Sequence, residues 1–246
     1  MIHLAVIDAS TSPLRTGSPI ADWIAECARR VGAFEVDIIR LRDIDLPFFD
    51  ESYLPRYGVY EHETTRRFSE LIGGFDAFIF VSPEYNRGYS ARLKNALDHL
   101  AQEWAFKPAG IVGYGASMMG GVRSAHALED VLSSLHMFVA QERVYVPFAG
   151  REAHRWQGRQ VAWGVGDDGE FVATEGMVEA AEMMLEALVR LDAAMMLVRT
   201  PDRLVGDQQG IGNPPDDMQA SVGPRPFRDD REAWRRSGGG TPTSAE

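Results

Sequence analysis

Residues 77–81, Ala-Phe-Ile-Phe-Val, form a continuous apolar run, which reads as a strand buried on both faces, the kind found inside a parallel sheet. The run stops at Ser82-Pro83, where proline ends the hydrogen-bonded ladder. Gly88 then loosens the backbone, Ser90 stands where a helix wants its cap, and Leu93, Ala96, Leu97 and Leu100 recur at helical spacing. The polar stretch between them therefore joins the carboxyl end of a buried strand to a helix start. Open α/β sheets bind their ligands at such junctions.

The rest of the chain repeats this alternation. Residues 2–7 read as a first strand and 8–18 as a polar loop. Pro19 suits the first position of a helix striped by Ile20, Trp23, Ile24, Cys27 and Val31 and closed by Gly32. Residues 34–41 give a second strand, so the first unit is a right-handed βαβ crossover. Residues 42–61 are irregular and rich in aromatics, suited to a wall of a binding site or to a lid over the core. Thr64 or Thr65 precedes a helix through Phe68, Leu71 and Ile72 that closes at Gly73-Gly74. A further strand at 109–114, a helix through Val122, Ala125, Leu128, Val131, Leu132 and Leu135, and a strand at 139–146 complete a five-stranded sheet. Residues 161–166 suggest a short strand. Residues 177–198 form a helix whose stripe of Met183, Met184, Leu188, Leu191, Met195 and Met196 suits packing. One domain over residues 1–198 is expected, with 199–246, rich in Pro, Gly, Asp and Arg, as a disordered tail.

Three loops carry candidate chemistry. The first offers the hydroxyls of Ser10, Thr11, Ser12, Thr16 and Ser18, the cation of Arg15 and the free amides of a helix start. A dianionic phosphate needs that mixture, and a plain polar turn before a capped helix uses it as well. In the second, Glu84 suits a helix entry, while Tyr85 suits either a sheet edge or the face of an apolar heterocycle whose polar edge Asn86 and main-chain amides would meet. The third, Gly115-Ala116-Ser117-Met118-Met119-Gly120-Gly121, lets the backbone approach a planar ligand, and the dipole of the next helix would favour negative charge there. Lys94 and Asp98 lie four apart, as an ion pair on a wet helix face would.

Composition removes several function classes. The formal net charge of −11 opposes a nucleic-acid or anionic-membrane surface. Cys27 is the only cysteine, so the chain forms no internal disulfide and no cysteine-rich metal site, and a reducing cytoplasm is the expected setting. No apolar run approaches the roughly 20 residues of a membrane helix. The six histidines, at 3, 62, 99, 126, 136 and 154, show no metal-ligand spacing, and no serine stands in a nucleophile elbow.

Ser82-Pro83-Glu84-Tyr85-Asn86, followed by Leu93-Lys94-Asn95-Ala96-Leu97-Asp98, resembles the signature of the NAD(P)H-dependent FMN reductases. The resemblance covers residues 1–147 and extends more loosely to 198. It implies a flavodoxin-like three-layer α/β sandwich around a five-stranded parallel sheet. It also implies FMN as cofactor, with NADPH or NADH as co-substrate. The flavin would carry hydride to a small-molecule acceptor such as a quinone, an azo or nitro compound, or free flavin. By the same resemblance the FMN phosphate loop comprises Ser10, Thr11, Arg15, Gly17, Ser18 and Ile20. Pro83, Glu84, Tyr85 and Asn86 contact the ring, with Gly115, Ala116, Ser117 and Gly120 as a second flavin loop. A homodimer or homotetramer is implied too. The sequence departs from the family pattern at Ala9 (usually glycine), at Ser12 (often arginine) and at Ser90 and Arg92 (commonly proline). A flavodoxin-type electron carrier and a non-catalytic FMN-fold interaction protein are the alternative functions.

Overall fold

The computed structural model describes residues 1–11, 16–149, 155–156, 159–160, 164–165 and 171–199. Parallel strands β1 (Ile2–Asp8), β2 (Phe34–Arg40), β3 (Ala77–Pro83) and β4 (Pro108–Tyr114) pair in the spatial order β2-β1-β3-β4. The fifth position is shared by two short strands. β5 (Phe138–Val139) pairs with Pro108 and Ala109 at the start of β4, and β6 (Val144–Val146) pairs with Val112, Gly113 and Tyr114 at its end. The strand expected at 139–146 is thus interrupted, and the sheet counts six segments. The order reverses between β1 and β3, which is the switch point of a flavodoxin-like sheet.

Helices cover both faces. α1 (Gly17–Val31) and α5 (Glu175–Arg199) pack on one side, while α2 (Glu63–Gly73), α3 (Ala91–Asp98) and α4 (Val122–Ser134) pack on the other. All seven residues of β3 and all seven of β4 are buried, as an apolar central strand requires. β3 runs two residues beyond the expected stop, because Ser82 and Pro83 pair with Gly113 and Tyr114. The pairing continues when Glu84 N–H donates to Tyr114 O at 2.8 Å. On the second face Phe78, Phe80, Phe68 and Trp104 form an aromatic cluster, with Trp104 edge-on to Phe78 at 5.0 Å between centroids.

α1 ends as expected, with Gly32 at φ 76° donating to Arg29 O. Its start lies two residues earlier than expected, so Pro19 is the third helical residue. Its missing N–H still falls among the first four amides, which no intrahelical acceptor serves. Val31 closes the predicted stripe but is exposed, and Ala21, Ala25 and Ala28 fill the inner face instead, their small side chains bringing the helix close to the sheet. α2 is capped at His62, which places Thr64 and Thr65 inside it. In α5 the inward residues are Met177, Ala181, Met184, Leu185, Leu188 and Asp192, while Met183 and Met196 of the predicted stripe face outward. β9 (Gly164–Val165) and β10 (Phe171–Val172) pair antiparallel within and beyond the short strand expected at 161–166, and β7 (Arg155–Trp156) pairs with β8 (Arg159–Gln160). The tail at 200–246 lies outside the described residues. Among those described, no helix is long and apolar enough to cross a membrane.

The amino-terminal edge of the sheet holds a fully buried cation. Lys107 Nζ donates to Ile72 O and Gly73 O, the last carbonyls of α2, and lies 5.5 Å from the centre of the Phe78 ring. Burial drives its pKa down to about 7, against the opposing pull of Glu103. Between pH 7 and 10.5 the unfolded lysine holds a proton that the native one has lost, so this group makes stability rise with pH. Below pH 7 both forms are charged and the burial cost is complete. Wild-type protein minus Lys107→Met, compared by denaturant unfolding, should therefore gain up to about 1.4 kcal/mol per pH unit across that window. A flat difference would show that the lysine stays charged in the fold.

Candidate active site

The loops after β1, β3 and β4 meet at the carboxyl edge of the sheet, beside the switch point. Local chemistry explains much of their shape. Ser90 caps α3 by accepting from Leu93 N–H at 3.2 Å, as its position predicts, and its hydroxyl donates to Ala9 O at 3.1 Å. One serine thus starts a helix and ties the second loop to the first. Ala9 N–H in turn donates to Val81 O, continuing the pairing of β1 with β3.

The second loop is a tight hairpin. Tyr85 N–H donates to Gly88 O at 2.8 Å and Gly88 N–H returns to Tyr85 O at 2.9 Å. Asn86 (φ 50°) and Arg87 (φ 71°) occupy its two central positions in the left-handed region, the pattern of a type I′ turn. The conformational freedom assigned to Gly88 is therefore exercised one and two residues earlier. Asparagine tolerates that region, while arginine is held there at a cost of roughly 1 kcal/mol. The turn leaves Tyr85, Asn86 and Arg87 exposed beside the cleft.

Glu84 behaves differently from its neighbours. Its carboxylate accepts from Arg123 N–H at 3.1 Å and from the Arg123 guanidinium at 2.8 Å. An internal carboxylate therefore already engages the amino terminus of α4, the dipole expected to face the ligand. In the third loop Gly115 is half-buried and Ala116 and Ser117 are exposed, with Met118 and Met119 exposed next to them. Ser117 O accepts from Gly120 N–H and from Phe148 N–H, so the loop is fastened to the segment after β6. Gly120 and Gly121 adopt φ 56° and 89°, and a Cβ on Gly121 would lie 2.3 Å from Tyr114 N. Both conformation and space demand glycine there.

The first loop is organised by a residue that the sequence reading passed over. Asp8 has no exposed surface and sits at the end of β1. Its carboxylate accepts from Ser10 N–H at 2.9 Å, from the Ser18 hydroxyl at 2.8 Å and from the Arg40 guanidinium at 3.3 Å. Arg40 is its register partner on β2 and also bonds Asp22 at 2.7 Å. Burial alone would lower the pKa of Arg40, but Asp22 and Asp8 more than offset this and keep the guanidinium charged. The Ser10 hydroxyl is buried and engages the Tyr114 hydroxyl. Gly17 opens α1 against the Tyr114 side chain, where a Cβ would come within 2.4 Å of the hydroxyl oxygen. Burial pushes the pKa of that hydroxyl well above its ordinary value. Thr11 is exposed. Ile20 is fully buried between α1 and the sheet and offers a ligand no surface. Arg15 lies outside the described residues.

The aromatic segment 42–61 is fastened along its length. Asn95 of α3 accepts from Phe49 N–H and donates to Pro47 O, and Arg92 donates to Leu41 O and Ile44 O. Glu51 accepts from Glu61 and His62 N–H. Its burial would raise the carboxyl pKa, but the hydrogen bonds it receives outweigh that and hold it below the usual range. Lys94 pairs with Asp98, as their spacing predicts.

Taken together, the edge exposes Tyr85, Met118 and Met119 and carries a polar, serine-bearing loop at the helix start of α1. The sequence profile of the NADPH-dependent FMN reductases matches residues 2–151, more than half of the chain. The chain belongs to the NADPH-dependent FMN reductase family. An NAD(P)H-dependent FMN reductase of Schizosaccharomyces pombe is 42% identical over 139 residues, covering 56% of this chain and 68% of that protein. A quinone reductase of Pseudomonas putida is 35% identical over 98 residues, 38% of this chain and 51% of its own. Among solved structures, the FerB flavoenzyme NAD(P)H:(acceptor) oxidoreductase of Paracoccus denitrificans superposes with a TM-score of 0.61 at 20% identity, over 79% of this chain and 99% of its own, a likeness of fold. As an FMN reductase the chain is an oxidoreductase that uses NAD(P)H. The exposed Thr11, the helix-start amides of α1 and the open, glycine-bearing third loop fit a flavin with a phosphate tail, while Asp8 occupies donors that such a tail would use.

Ser90→Ala removes both the α3 cap and the donor to Ala9 O. It should cost about 2 kcal/mol in urea unfolding, the sum of a lost cap and a buried carbonyl left unserved. An unchanged midpoint would mean that water replaces both bonds.

Proposed function

We propose that this FMN reductase passes hydride from NADPH or NADH, by way of FMN at the carboxyl edge of the sheet, to a quinone. The balance is NAD(P)H, one proton and quinone going to NAD(P)⁺ and hydroquinone. FMN, when bound, supplies the reversible uptake of hydride, and the protein supplies position and electrostatics. Ser10, Thr11, Gly17 and Ser18 would hold the phosphate end. Pro83, Glu84, Tyr85, Asn86, Gly115, Ala116, Ser117 and Gly120 would border the ring.

The observation that carries this reading is the convergence of three loops at the switch point with neither imidazole nor thiol among them. Residues 8–18, 84–88 and 115–121 contain no histidine or cysteine. Glu84 is tied down by Arg123 and orients the second loop against α4 instead of exchanging protons. The exposed faces of Tyr85, Met118 and Met119 suit a flat apolar acceptor, since aromatic and thioether groups adapt to varied rings. The one proton that completes the hydroquinone then comes from solvent. The similarity to a quinone reductase supports this choice of acceptor.

Purified protein, loaded with FMN and titrated anaerobically with NADPH or NADH, should lose its flavin absorbance band stoichiometrically. Added benzoquinone should restore it. A band that neither nucleotide bleaches would overturn the reductase reading and favour a one-electron carrier.

A further inference from the structure

We infer that Asp8 is a specificity-determining residue that weakens the hold of the first loop on the flavin's phosphate, so that the protein discriminates less between FMN and phosphate-free riboflavin than the loop's donors would otherwise allow. The inference rests on the proposed placement of the phosphate at this loop.

Phosphate binding at a helix start depends on unspent N–H and O–H donors and on net positive charge. Asp8 opposes both. Ser10 N–H and the Ser18 hydroxyl, two donors facing the loop, are already committed to its oxygens at 2.9 and 2.8 Å. The carboxylate is fully buried, so water does not screen it. Its one cationic partner among the described residues, Arg40, bonds Asp22 at 2.7 Å and Asp8 at the longer 3.3 Å. Two carboxylates share a single guanidinium, so this group of described residues carries a net negative charge. Among the described residues, what remains for a phosphate there is the exposed Thr11 and the amides that open α1, since the Ser10 hydroxyl is engaged by Tyr114. An isoalloxazine ring and ribityl chain without phosphate would be indifferent to this charge.

The test compares FMN and riboflavin by fluorescence-quenching titration of the 246-residue chain, as wild type and as Asp8→Asn. Asparagine keeps the shape and one acceptor oxygen while removing the charge and releasing a donor. The expected result is FMN bound about tenfold more tightly by Asp8→Asn, with riboflavin affinity changed less than about twofold. Asp22→Asn, a substitution at a half-exposed side chain, leaves the buried bonds of Asp8 in place and frees Arg40 for it. It should shift FMN in the same direction by a smaller factor, and it decides the matter if Asp8→Asn does not fold. Weaker FMN binding, or equal changes for both flavins, would overturn the role of Asp8 while leaving the flavin assignment standing. Failure of wild type and both variants to bind either flavin would overturn the flavin assignment and this inference with it.

Discussion

Strand β4 draws its neighbours close at two residues that have no side chain. A Cβ on Gly110 would lie 2.8 Å from the Met184 sulfur of α5, and one on Gly113 would lie 2.8 Å from Gly121 O. The first contact lets α5 settle on one face of the sheet. The second lets the third loop fold back over the end of the strand that carries it. β3, β5 and β6 pair along the same seven residues, so the position of each site loop depends on how closely its support approaches β4.

Several charged groups of the site are settled against one another before any ligand is considered. Glu84 meets Arg123 and the first turn of α4, Asp8 meets Arg40, Ser10 and Ser18, and Asn95 spans the gap to the segment after β2. Each pairing joins two loops or a loop to a helix, so the polar side chains act as braces. The groups left facing outward are aromatic, thioether and small polar ones, together with Arg87. Such a surface suits a reductase whose reactive atoms belong to its cofactor.

Local signals made most elements readable from sequence. The apolar run at 77–81, the cap at Ser90 and the stop at Gly32 act within a few residues of themselves, and each stands where expected. The family signature at 82–86 pointed to the correct family and the correct fold. Readability failed where partners are remote. Asp8 and Arg40 are 32 residues apart and Glu84 and Arg123 are 39 apart, and they meet only once strand register is fixed. The turn at 85–88 misled for another reason. Glycine marks flexibility, but the mutual bonds of Tyr85 and Gly88 force the left-handed geometry onto Asn86 and Arg87 between them. The side chain of Ile20 is fully buried because α1 already begins at Gly17 and turns that position toward the sheet.

The family match ends at residue 151, whereas α5 begins at Glu175. The helix that shields one face of β4 therefore comes from beyond the stretch by which the family is recognised. A fragment trimmed to the matched region would keep every described site loop and yet uncover Val144, Val146 and the side-chain-free surface at Gly110. Bare apolar sheet of that kind associates with other chains. The end of the family match and the end of the packed sheet thus fall at different places in this protein, and an expression boundary should follow the second.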